Sequence, residues 1–165
     1  MFRPSPTPPA PGQESVWDYP RPPRLERVGL RLRVVLGRET IADTVDGWRV
    51  LETSHPPTYY FPRDAVAEGV LGPQQRAGIC EWKGRAVLFA VTAGGHTLPG
   101  AAWAYPDPTP PFREIAGAVA FYAGPMDGCF VGDIRAEPQP GGFYGGWITP
   151  DVAGPFKGGP GTMGW

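Results

Sequence analysis

Cysteine and histidine are scarce, with two of each in 165 residues. Cys80 and Cys129 could form at most one bridge, so a disulfide scaffold is excluded and both are read as free thiols of a reducing compartment. A structural zinc site needs about four ligands, usually with cysteines in close pairs. Here Cys80, Cys129, His55 and His96 each stand alone, so neither a metal nor a cofactor is expected. Charge of one sign is lacking as well. The 15 Lys and Arg nearly balance the 16 Asp and Glu, for a net charge of −1, which leaves no field to gather a phosphate backbone or anionic lipid. Nucleic acid and membrane are therefore not the expected partners. Apolar runs such as residues 86–91 fall far short of the roughly 20 residues that span a bilayer, and Met1-Phe2-Arg3 opens into prolines instead of an apolar signal core. The reading is a soluble, cytoplasmic protein. No GxxxxGK[ST] or GxGxxG segment sits between a strand and a long helix, so no phosphate-cradling loop is legible.

Glycine and proline are abundant, at 24 and 23, a level that suggests low complexity. The 41% hydrophobic and 12% aromatic content nevertheless supplies enough apolar surface for a core. The organisation reads in three parts. Residues 1–27 form a proline-rich arm, expected to be extended and mobile before about Gly12. Residues 28–140 form the folded body. Residues 141–165 form a glycine-rich tail whose Phe143, Tyr144, Trp147, Phe156 and Trp165 have no use in a flexible linker, so the tail is expected to dock on the body or on a second copy, making a homo-oligomer.

Within the body the period is two. Leu30, Leu32, Val34 and Leu36 fall on one face and Arg31 and Arg33 on the other, which is the pattern of a half-buried strand. Turns at Gly37-Arg38 and Asp46-Gly47 suggest a three-strand meander through residues 39–45 and 48–53. Further strands are read at 58–61, 77–82, 85–92, 97–105, 118–123 and 129–134, with short helices at 63–68 and 112–116. The fold class is mainly β, a compact antiparallel domain of short strands and hairpins with two short helices.

Aromatic residues carry the clearest sign of a site. Trp103 and Tyr105 share a strand face and Tyr59 and Tyr60 sit back to back, so one of each pair can wall a concave surface, although core packing serves such residues equally well. Glu52 lies on the Trp48/Val50 face and Lys83 at a hairpin tip, the charged groups placed nearest. Arg21, Arg24, Arg27, Arg31 and Arg33 form a basic stretch that more simply solvates a strand.

The segments ETSHPPTYYFP (52–62), CEWKG (80–84), AAWAYPDP (101–108) and IAGAVAFY (115–122) resemble, in order and spacing, the family called domain of unknown function 427. The resemblance covers about residues 30–126, and the tail from Phe143 resembles the extension of longer bacterial members. It implies a mostly antiparallel β domain of a tent-like kind, two small sheets meeting at an angle. It also marks Glu52, Tyr59, Tyr60, Phe61, Pro62, Cys80, Lys83, Gly84, Trp103, Tyr105 and Pro106 as recurring positions. The family's nucleotidyltransferase-like label would require a glycine-rich turn followed by paired carboxylates holding magnesium. The acids Asp43, Asp46 and Asp107 do not supply that arrangement.

The leading functional expectation is a small-molecule-binding β domain of unknown ligand, contacted by Glu52, Tyr59, Tyr60, Cys80, Lys83, Trp103 and Tyr105. An enzyme in which Glu52 is a general base and Cys80 or Lys83 a nucleophile is the second reading. A structural or partner-binding module working through its aromatic tail is the third.

Overall fold

The computed structural model describes residues 3–165. Its strands assemble into several antiparallel sheets joined by tight turns. In the first sheet the alternation of Leu32–Leu36 puts Leu32, Val34 and Leu36 inside, while Leu30 lies outside the strand and is exposed. Gly37 and Arg38 both have positive φ, 58° and 66°, the geometry that suits the right-handed twist of a two-residue hairpin. The returning strand is Glu39–Thr44, and on the other side of Leu32–Leu36 lie Gly128–Val131 and then Ile134–Arg135.

The second sheet is the antiparallel run Leu71–Cys80, Gly84–Ala93, His96–Ala104 and Val119–Phe121. A third sheet holds Arg24–Arg27, Trp48–Leu51 and Thr58–Tyr60. Reciprocal 2.8 Å main-chain hydrogen bonds between Phe61 and Val119 join the second and third sheets at their edges.

Besides Leu30, the meander and the helices differ from the sequence expectation. The meander ends after two strands. Trp48–Leu51 does not return along Glu39–Thr44, because at Gly47 the chain crosses over Leu32 so closely that a Cβ would strike its side chain, and the Gly47 carbonyl accepts from Val28 N–H instead. The two expected helices are only 3-10 turns, Arg63–Ala65 and Pro110–Ile115, and a third turn spans Val16–Asp18. Pro111 lacks a donor and Gly117 takes a positive φ of 72°, which leaves too little chain to propagate an α-helix.

The main core lies between the first and second sheets. Leu32, Val34 and Ile41 meet Val91, Ala102, Val119 and Phe121 there, together with Tyr59 and Phe61. Trp147 of the tail fills the same core. It is 0% exposed, lies 5.2 Å from the Tyr59 ring, and donates its indole N–H to the Phe121 carbonyl at 2.9 Å. Farther along, Val152–Ala153 pairs in parallel with Glu14–Ser15 of the arm. Thr7 N–H donates to the Gly154 carbonyl, within the stretch expected to be mobile. Arg49 ties this corner to the third sheet by bonding both Glu14 oxygens and Glu26.

Candidate functional site

The outer face of the second sheet and one face of the third share a second apolar cluster. Strand alternation sends Tyr60 into it with Val50 while Tyr59 points to the main core, as the back-to-back placement requires. Tyr60, Trp103 and Tyr105 pack there with Ala118, Ala120, Phe112 and Ile115, and Cys80 borders the group. Burial pushes the phenols of Tyr60 and Tyr105 well above their ordinary range, so both stay neutral. Burial likewise pushes Tyr59 and the Cys129 thiol up to about 12, and Cys129 is an inert core thiol.

Lys83 is 9% exposed with its ammonium 5.5 Å from the Tyr105 ring centroid, and it has no ion pair among the described residues. The loop from Trp82 is clipped by Thr109, whose N–H donates to the Lys83 carbonyl at 3.2 Å and whose hydroxyl donates to the Trp82 carbonyl. Glu52 lies elsewhere on the rim, within electrostatic reach of Lys83, and is engaged by Arg21 at 3.2 Å and by His55 Nε2 at 3.5 Å. Gln139 lies with its amide nitrogen 3.0 Å from His55 Nδ1 and donates to the Lys157 carbonyl at 2.8 Å, so that His55 Nε2 faces Glu52. Burial pushes the Glu52 carboxyl up, but the hydrogen bond and positive charge of His55, the hydrogen bond from Arg21 and the charge of Lys83 outweigh it and hold the carboxyl at about 2. The result is a knot in which the arm supplies Arg21, the body Glu52, His55 and Gln139, and the tail the Lys157 carbonyl.

Of the seven residues singled out from sequence, five therefore converge: Tyr60, Cys80, Lys83, Trp103 and Tyr105. Tyr59 belongs to the opposite face and Glu52 to the polar knot. The converging rings are closely packed, and the open space lies beside them. Trp103 packs at a tilt against Tyr122, ring centroids 4.6 Å apart, and Tyr122 forms part of a cleft of about 430 Å³. Its floor is Leu88, Leu98 and Ala101, its end the corner 122–125, and its roof Pro138 and Gln139 with the tail at Gly142 and 144–146.

A bulge in the strand His96–Ala104 opens this cleft. Phe89 pairs with Ala102 and Val91 with Leu98, so Pro99, Gly100 and Ala101 stand opposite Ala90 alone. Pro99 lacks a ladder donor and Gly100 takes a φ of 59°, so the strand leaves the ladder here. The roof is held down where Gly145 sits so close to Trp103 that a Cβ would overlap the indole, and where the Tyr122 hydroxyl donates to the Phe143 carbonyl at 2.9 Å. Sequence reasoning missed the cleft residues, since most are Gly, Pro or Ala without side-chain chemistry. The available signal was Pro99-Gly100 inside an apolar strand.

Among the described residues, no three His, Cys, Asp or Glu side chains converge in a way that could hold a metal ion, and no charged side chain lines the cleft. A magnesium-bound triphosphate finds no ready donor set there. No helix of the described residues is long and apolar enough to cross a membrane. Among curated proteins none matches the chain. The model of the family described as Domain of unknown function (DUF427), with the short label NTP_transf_9, matches residues 24–132, about two thirds of the 165 residues and all of the second and third sheets. The chain belongs to this family.

Proposed function

We propose that the protein is a small-molecule-binding β domain whose ligand lies in the cleft between the bulged sheet and the tail. The observation that carries this reading is the cleft itself. About 430 Å³ falls in the range of small-ligand sites, and its wall is more apolar than polar, with aromatic support. Tyr122 forms wall directly, and Trp103 stiffens it from behind. Tyr60, Tyr105, Cys80 and Lys83 support Trp103 in the next layer, while Glu52 positions the roof through His55 and Gln139. In this reading the arm, the body and the tail work as one unit, because roof and floor come from different parts of the chain.

The test is native mass spectrometry of the purified protein. A co-purifying mass is expected, and Pro125→Trp, which places bulk at an exposed edge of the cleft, should release it while leaving the melting temperature unchanged. A mass that stays bound to Pro125→Trp, or no adduct in any preparation, counts against the reading.

A further inference from the structure

Resting on the cleft reading above, we propose that the ligand is an uncharged molecule carrying a flat ring. Of the polar side chains of the lining, Gln139 and Tyr122 are already engaged by the protein, and Tyr144 alone keeps a hydroxyl with no hydrogen bond among the described residues. Gln139 uses its amide nitrogen on His55 and Lys157 and its carbonyl oxygen on Gly146 N–H, and the Tyr122 hydroxyl is held by Phe143. Lys157, which lies 5.4 Å from the Tyr144 ring centroid, donates to the Trp165 main-chain oxygen at 3.3 Å. A sugar would bring several hydroxyls to a wall whose side chains spare only the Tyr144 hydroxyl, and leaving the others unpaired is costly. A phosphate, carboxylate or ammonium would be desolvated against apolar walls without a counter-charge.

What the cleft does offer is flat surface. The rings of Tyr122 and Tyr144 and the faces of Pro99, Pro125 and Pro138 border it, and the glycines at 100, 142, 145 and 146 let a planar group approach the backbone. Aromatic and proline faces favour a ring over a branched chain, through dispersion and edge or offset stacking.

The experiment is a methyl NMR titration of the full chain with three probes of similar size: p-cresol, which is uncharged near neutral pH, benzoate and benzamidine. Only p-cresol is expected to shift the methyls of Leu88, Leu98, Ala101 and Ala123 strongly, with the charged rings weaker on the order of tenfold or more. Equal or tighter binding of benzoate or benzamidine at those methyls would overturn the ligand class while leaving the cleft reading in place. Failure of p-cresol to move them overturns the ligand class too, and the cleft reading is then judged on the co-purified mass and its release by Pro125→Trp.

Discussion

At the scale of single residues, one carboxylate and one glycine carry the most weight. Glu52 is held at about 2 against an ordinary value of 4.5, so its pairing favours the folded state above about 4.5 and that contribution fades as pH falls toward 2. Glu52→Gln should therefore lower the melting temperature near neutral pH and flatten its fall between about pH 5 and pH 2.5. Parallel melting curves for parent and variant over that range would show that the carboxylate is not paired in the fold. Gly145 has a different role. Alanine there meets the Trp103 ring, whereas at Gly142, with φ of 73° and open space around it, alanine meets only backbone strain. Gly145→Ala should cost about 1 to 3 kcal/mol by overpacking and shift tryptophan emission, and Gly142→Ala should cost less and leave emission unchanged. Equal effects at the two positions would mean that the roof does not rest on Trp103. Neither role was legible beforehand, since a glycine pressed on a ring and a glycine in a free turn look the same in a sequence.

At the scale of elements, local patterns were readable and long-range partners were not. The alternation through Leu32, Val34 and Leu36 and the turns at Gly37-Arg38 and Gly94-Gly95 predict strands and hairpins that are present. The strand expected over 48–53 forms over Trp48–Leu51, yet its partners, Arg24–Arg27 and Thr58–Tyr60, follow from a sheet change at Gly47 that only the packing over Leu32 requires. The back-to-back tyrosines separated as period two dictates, so Tyr60 joins Trp103 while Tyr59 meets Trp147. The cleft was illegible for a simpler reason, since its shape comes from a bulge and a roof of glycines and prolines. Trp147 is the side chain that makes the tail part of the core. Trp147→Ala should cost about 3 to 5 kcal/mol in urea unfolding, from lost burial and a lost bond to Phe121. A loss below about 1 kcal/mol would place the indole outside the stable core.

At the scale of the whole molecule, the family match ends at residue 132, and the roof of the cleft lies beyond it. The matched segment contributes the floor, the bulge and the aromatic support, and the tail turns an open sheet face into a bounded cleft. The arm reinforces this closure from the other end, through Arg21 on Glu52 and Ser15 beside Ala153. Binding should therefore be felt in two stretches far apart in sequence and adjacent in space. Amide hydrogen exchange of the full chain, with and without saturating p-cresol, tests this most directly. Slower exchange at residues 98–101 and 143–146 together, with the outer strand Glu39–Thr44 unchanged, is the predicted result. Protection confined to another surface, or none at the bulge and roof, would contradict it.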